Sequence, residues 1–243
     1  MIVRVRVEGD VVVKHGPGAE LVREARKLRA YEEFAGGLFV VPRPLAVDEE
    51  AGVMRMSRLE GFVPVVAAFD ASKDAPRAVA SLFSRTGGVL ARIHGHSEVT
   101  RRWLADALTT PVTAGHVVLH GDFGFSNVLV RLSDSTIGVI DPTPAPYVEP
   151  RDVGPPIRDL AHMTSCLLGR RGSIIRYATA LRLPRRRLLE AFLDGYAAES
   201  GSVPSWDAVV EAGQEHLRTY LVRGADLPRP IASATAFVWA KTL

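Results

Sequence analysis

Cysteine is almost missing from this chain: Cys166 is the only one in 243 residues. An internal disulfide is therefore excluded, and a reducing, cytoplasmic setting fits. Long apolar runs are missing too. The longest, Phe62 to Phe69, falls far short of the roughly 18 to 20 residues that a membrane span needs. The charged start (Met1, Arg4, Arg6, Glu8) lacks the basic, apolar and small-residue sequence of a signal peptide. The expectation is a soluble protein with no membrane partner. Neither sign of charge dominates, since 30 basic residues face 27 acidic ones for a net charge of +3. That small excess is weak ground for a nucleic-acid partner. Lysine is scarce: 26 of the basic residues are arginine, and lysine stands only at positions 14, 27, 73 and 241. A lysine in so arginine-rich a chain invites a question about its use.

What is present is ordinary for a globular protein, with 47% hydrophobic and 23% charged residues, and the length suits one domain or two small lobes. Ile2 to Val7 alternates apolar and basic residues, Gly9-Asp10 interrupts, and Val11-Val12-Val13-Lys14 resumes. This pattern predicts a hairpin ending at Lys14. After His15-Gly16-Pro17-Gly18, the spacing of Leu21, Ala25, Leu28 and Tyr31 predicts a helix over 19–35, stopped by Gly36-Gly37. Short strands are expected at 45–48 and 53–57. A helix is expected over 76–94, weakened locally by Gly87-Gly88. Three β-type runs follow at 117–119, 128–130 and 137–140. The segment 142–156 carries six prolines and is expected to be an irregular loop. Helices are expected at 157–168, 184–199, 205–222 and 228–242. The overall expectation is an α+β protein, with a small strand-rich N-terminal part and a larger helical C-terminal part.

The chemistry concentrates in Leu119-His120-Gly121-Asp122-Phe123-Gly124-Phe125-Ser126-Asn127-Val128. Here a histidine, an aspartate and an asparagine share one polar loop between two strands. A little further on, Gly138-Val139-Ile140-Asp141-Pro142 sets a second aspartate just after a third strand. Oxygen ligands without a cysteine or histidine cluster suit a hard cation such as Mg²⁺, shared with substrate phosphates. Lys14 ends a strand, and Glu24 lies between Leu21 and Leu28 on the apolar face of the next helix. A charge there needs a partner. Lys14 with Glu24 is the economical pairing, with Glu20 as the alternative, and a lysine so held suits a phosphate site.

Taken together, Lys14, Glu24, His120-Gly121-Asp122 through Asn127, and Ile140-Asp141-Pro142 resemble the aminoglycoside phosphotransferase family of protein-kinase-like small-molecule kinases. Ala91-Arg92-Ile93-His94 resembles the end of the family's helix before the catalytic loop. Arg158-Asp159-Leu160-Ala161 resembles its motif after the metal-binding aspartate, and Met56 to Gly61 resembles its interlobe hinge. The resemblance covers roughly residues 11 to 165 in order. It implies a two-lobed kinase-like fold, with an abridged N-lobe of 1–61 and a helical C-lobe of 62–243. It implies that Asp122 accepts the proton from, or orients, an acceptor hydroxyl, and that Asn127 and Asp141 bind Mg²⁺. Lys14, oriented by Glu24, would contact the phosphates of ATP or GTP. Met56, Arg58 and the main chain at 57–60 would meet the nucleobase. His120 would brace the catalytic loop, and Asp159 would hold it from beneath.

The pattern departs from kinases before the lysine, where Gly9 is the only glycine and no glycine-rich strand-turn-strand fits. Either the lobe is abridged, or the family's first strand is missing, or the natural start lies further upstream. The implied activity is nucleotide-dependent phosphorylation of a small-molecule hydroxyl. Residues 151–243 hold thirteen basic and nine acidic residues, which leans against a highly cationic aminoglycoside and leaves an antibiotic, sugar, nucleoside, amino alcohol or peptide natural product open as the acceptor. The alternatives are a small atypical protein kinase docking through Arg170 to Arg187, and a nucleotide-binding pseudokinase that serves as an interaction module. His94, His96 and His116 read as packing, capping and loop residues, and Trp103, Trp206 and Trp239 as core or lobe-packing residues.

Overall fold

The computed structural model describes residues 4–67, 76–105, 108, 113–168 and 185–223. It opens with the expected hairpin, strands β1 (Arg4–Glu8) and β2 (Val11–His15), turning at Gly9-Asp10. Helix α1 (Gly18–Phe34) follows, then β3 (Phe39–Val40), β4 (Pro44–Asp48), β5 (Val53–Ser57) and β6 (Phe62–Pro64). One antiparallel sheet has the order β1-β2-β5-β4, so β2 with its Lys14 sits inside the sheet and β1 is its edge. Directly opposed residues share a face. Val5 faces Lys14, Val7 faces Val12, Lys14 faces Met54 and Val12 faces Met56, so these six side chains form one surface. Helix α1 covers part of that surface with Leu21, Ala25 and Leu28 against Met54 and Met56. Each fully buried leucine contributes about 2 kcal/mol.

The described residues that follow are mainly helical and pack around a second sheet. Helices α2 (Pro76–Gly95) and α3 (Ser97–Leu104) lead to β7 (Val117–Val118), β8 (Val128–Arg131), β9 (Thr136–Val139) and β10 (Val153–Gly154). Helices α4 (Ile157–Leu168), α5 (Arg185–Ser200) and α6 (Trp206–Arg223) complete the described residues. The second sheet runs β3-β9-β8-β6, with β3 parallel to β9, and β10 pairs with β7. The main core gathers Tyr31 and Phe34 of α1, Phe83 and Leu90 of α2, Val128 and Val139 of the sheet, Met163 of α4 and Phe192 of α5.

Four features differ from the sequence expectation. Strands β3, β6 and β10 are two or three residues long, too short for a periodic signal, and β10 interrupts the proline-rich segment expected to be irregular throughout. Helix α3 was not expected either. Trp103 on α3 is 38% exposed, so of its two expected places it takes packing between elements and not the core, with its indole N–H donating to Glu33 of α1 at 2.9 Å. Gly87 marks a close approach of helices rather than a weak point: a Cβ there would overlap the Phe192 carbonyl oxygen. The helix expected over 228–242, with Trp239, lies outside the described residues, as do Arg170 and Arg171. No helix among the described residues is long and apolar enough to cross a membrane.

Candidate active site

The strand-end lysine is buried, and it joins three elements. Lys14 Nζ lies 2.6 Å from Glu24 Oε2 on α1 and 2.7 Å from Asp141 Oδ1 just after β9. Burial alone would lower the Lys14 ammonium, but the two carboxylates outweigh it and hold it above its ordinary value. Burial lifts the Glu24 carboxyl to about 7 against the pull of Lys14. Glu20, the alternative partner, is exposed. Asp141 has a left-handed backbone, φ 54°, a region that Asp tolerates better than most side chains. Thr143 Oγ1 donates to Asp141 Oδ1 at 2.6 Å, the same oxygen that Lys14 meets.

The second half of the cluster is the loop after β7. Asn127 Nδ2 donates to the Asp122 carbonyl at 2.9 Å and to Asp122 Oδ2 at 2.8 Å. The Asn127 amide oxygen takes no part in either bond. The Ile140 amide donates to the Asn127 carbonyl at 3.0 Å, which brings Asn127 and Asp141 side by side at the ends of the paired strands β8 and β9. The loop turns at Gly121, where φ is 95° and a Cβ would lie 2.9 Å from Pro144 Cα. Only glycine fits there.

Asp159 holds the loop from α4. Its Oδ2 accepts the His120 amide at 2.8 Å, and its Oδ1 accepts the Gly121 amide at 2.9 Å. His94, at the end of α2, reaches Asp159 Oδ2 at 3.0 Å through Nε2, and its Nδ1 lies 2.9 Å from the Tyr196 hydroxyl. Fully buried, Asp159 nonetheless sits well below the usual carboxylate range, because these donors outweigh its desolvation. Burial pushes His120 down to about 4, so its ring is neutral, and its Nδ1 accepts the Asp122 amide at 3.3 Å. That ring stacks on Tyr31 and meets Phe123 edge-on.

The residues expected at the hinge behave differently. Met56 is buried on the inner face of the sheet. The Arg58 amide donates to the Asp10 carbonyl at 2.7 Å and its side chain extends toward the Gly9 carbonyl at 3.5 Å. The Ser57 amide likewise donates to the Arg43 carbonyl at 2.9 Å. Two of the four main-chain donors expected at 57–60 are thus already engaged.

Sequence reasoning missed three groups. Lys27, 1% exposed, donates to the Leu119 carbonyl at 2.9 Å and pairs with Asp152 at 2.9 Å, tying α1 to both ends of the segment that carries Asp122, Asn127 and Asp141. Its signal was there, as one of four lysines and one turn beyond Glu24. Val5 and Val7, 61% and 53% exposed, extend the Lys14 face of the sheet as an apolar shelf. His162, 2% exposed, stands 2.9 Å from Asp122 Oδ1. Only its place three residues after Asp159 could have marked it.

A strand-rich N-terminal sheet whose lysine meets a helical carboxylate, over a helical body whose strand ends carry Asp122, Asn127 and Asp141, is the kinase-like fold of the small-molecule kinases. The particular likenesses agree. A glucosamine kinase solved with glucosamine, ADP and inorganic phosphate matches at TM-score 0.62 and 16% identity, over 99% of this chain and 79% of that one. A choline/ethanolamine kinase family protein from Mesorhizobium loti matches at TM-score 0.55 and 16% identity, over 98% and 83%. The choline kinase LicA of Streptococcus pneumoniae matches at TM-score 0.53 and 13% identity, over 99% and 91%. By sequence, the chain matches no protein-family model and no curated protein.

Proposed function

We propose that this protein is a phosphotransferase that moves the γ-phosphate of ATP or GTP, as a Mg²⁺ complex, to a hydroxyl of a small molecule. The observation that carries the reading is Lys14 bridging Glu24 and Asp141, at 2.6 and 2.7 Å, from opposite parts of the chain. A buried ammonium in contact with two carboxylates is a site prepared for anionic oxygens and a cation. Among the described residues, no group of three His, Cys, Asp or Glu forms a metal cage. Mg²⁺ is compatible with this, because it takes few protein oxygens and completes its shell with phosphates and water. Asp141 and the Asn127 amide oxygen would hold it. Bound there, the ion supplies charge neutralisation for the transferred group.

The other roles follow from position. Lys14 holds phosphate oxygens, and Glu24 fixes Lys14. The nucleobase rests on the shelf of Val5, Val7, Val12 and Met56, with the main chain at 59 and 60 as its polar edge. Asp122 orients the acceptor hydroxyl for in-line transfer, a reaction that asks mainly for positioning and electrostatic stabilisation. A cavity of about 330 Å³ opens beside the catalytic loop, with Gly121, Arg151, Arg158, Glu149, Glu215 and His216 in its wall. That volume suits one sugar or amino-alcohol unit. Its mixed charge supports a neutral or weakly charged acceptor over a polycation.

The test is a thermal melt with ATP and with GTP, each with and without Mg²⁺, on wild type and Asp141→Ala. A ligand at about 100 times its dissociation constant adds about 2.7 kcal/mol. A magnesium-dependent shift in wild type that is lost in Asp141→Ala supports the reading, and no shift with either nucleotide sinks it. Nucleoside diphosphate release over hexosamines, amino alcohols, nucleosides and aminoglycosides then identifies the acceptor.

A further inference from the structure

The Asp122 carboxylate is gripped at both oxygens, and one grip comes from outside its own loop. Oδ2 takes the Asn127 amide at 2.8 Å, while Oδ1 lies 2.9 Å from His162 Nε2 on α4. His162 is itself enclosed. Its ring lies 4.5 Å from that of His216 on α6, and a side chain at Gly124 would meet His162 Nε2 at 2.9 Å and Cys166 Sγ at 3.1 Å. His216 Nε2 stands 3.3 Å from the Tyr147 hydroxyl, and the Tyr147 ring meets Tyr220 edge-on at 5.2 Å. A packed row therefore runs from Asp122 through His162 and His216 to the wall of the cavity beside the catalytic loop.

We infer that His162 is the positioning residue for Asp122: its Nε2, in ion-pair contact with Oδ1 at 2.9 Å, fixes the carboxylate rotamer, and with it the direction along which an acceptor hydroxyl is held. The inference rests on the phosphotransferase reading and extends it to a residue of α4. A carboxylate on a surface loop samples several rotamers. Held at both oxygens it keeps one, and a misplacement of about 1 Å in a reacting group costs about 100-fold in rate. Burial would discharge an isolated imidazole, but Asp122 outweighs burial and lifts His162 to about 10. The ring is thus charged at neutral pH, and its contact with Oδ1 is a buried ion pair.

The test uses two neutral variants that differ in where the N–H stands. His162→Gln places an amide nitrogen near the Nε2 position, and His162→Asn places it near Nδ1, too short to reach Asp122. In His162→Gln, turnover stays within about 10-fold of wild type. In His162→Asn it falls about 100-fold, while the acceptor KM and the magnesium-nucleotide melt shift stay unchanged. Equal turnover in the two variants, whether high or low, overturns the inference. A second measurement does not depend on either variant folding: the ¹⁵N resonances of the His162 ring in wild type and in Asp122→Asn. Movement of the Nε2 resonance supports the contact, and an unmoved resonance overturns it. If wild type gives no melt shift with magnesium nucleotide, the phosphotransferase reading falls first and this role falls with it. A normal shift with equal Gln and Asn turnover removes the role of His162 alone.

Discussion

Gly87 and Gly88 are neighbours in the middle of α2, and the fold gives them opposite roles. A Cβ on Gly87 would overlap the Phe192 carbonyl oxygen and lie 2.8 Å from the Tyr196 nitrogen, both backbone atoms of α5. A Cβ on Gly88 would have the Gly195 carbonyl oxygen at 3.6 Å as its nearest neighbour, an ordinary contact. Alanine is favoured over glycine in a helix interior by about 1 kcal/mol, so Gly88→Ala stabilises the protein by about that much. Gly87→Ala gains the same propensity but must push α2 and α5 apart by well over about 1 Å, since such contacts settle at about 3.5 to 4 Å. A gap of even about 1 Å forfeits about a quarter to a half of the dispersion well for each contact across it. The contacts at risk join Phe83 and Leu90 to Leu188, Leu189 and Phe192 in the main core. Overpacking costs about 1 to 3 kcal/mol where side chains can give way. Against rigid backbone the upper figure is the floor, so Gly87→Ala loses at least about 2 kcal/mol net. For a chain of this length that is a fall of about 4 to 8 °C in Tm, against a rise of about 2 to 4 °C for Gly88→Ala. Urea titration with an unchanged slope measures both. A Gly87→Ala variant as stable as Gly88→Ala would refute the close approach of α2 and α5, and with it the placement of the core beneath the catalytic loop.

Asp122→Asn lowers turnover by at least about 100-fold while the magnesium-nucleotide melt shift persists; equal turnover removes Asp122 from the chemistry. Lys27→Met leaves Asp152 beside Arg23 alone, at 3.4 Å, and frees the Leu119 carbonyl. Breaking a buried pair on one side costs about 3 to 5 kcal/mol, so unfolding at wild-type urea concentration would refute the tether. His162 also sets a pH dependence. Its folded pKa of about 10 lies above the unfolded imidazole value of about 6.5. Its contribution to stability is therefore complete below about pH 6.5 and is lost as pH rises through about 10. Between pH 6 and pH 10, wild type loses more stability than His162→Gln; identical losses would show that the charged ring contributes nothing.

The site was legible wherever function needs fixed residue types at fixed spacing. His120, Asp122, Asn127 and Asp141 lie within 22 positions of each other, in the loop after β7 and beside the ends of β8 and β9, so local pattern alone grouped them. Lys14 and Glu24 were legible because a charge on an apolar helix face requires a partner. His162 was not. It sits on a helix whose whole length from Asp159 to Leu168 is buried, and a histidine in such a helix has no pattern that separates packing from positioning. Elements of two or three residues, such as β3 and β10, are defined by what they pair with. No window of sequence contains that partner. Arg58 shows the opposite failure: a resemblance suggested a hinge there, but whether its amide is available depends on Asp10, some 48 residues earlier.

The contact between Lys14 and Asp141 gives the site one more testable property. At 2.7 Å, the lysine occupies the place beside Asp141 that a cation would share, and Asp141 occupies the place beside Lys14 that a phosphate would share. A nucleotide arriving without magnesium must compete with Asp141 for Lys14 and brings its own negative charge toward a carboxylate. Magnesium arriving without nucleotide must enter beside an ammonium held in its charged form by Glu24 and Asp141. Each alone meets like charge at close range, which costs several kcal/mol in a partly desolvated site. Together they exchange one ion pair for two, with Lys14 on phosphate and Asp141 on magnesium. The melt shift for ATP with Mg²⁺ therefore exceeds the sum of the shifts for ATP alone and for Mg²⁺ alone. Lys14→Met uncouples them, so that Mg²⁺ alone binds better in the variant than in wild type while nucleotide binds worse. Additive shifts in wild type would mean that the two charges do not stand in each other's way, and the arrangement of the site around Lys14 would have to be abandoned.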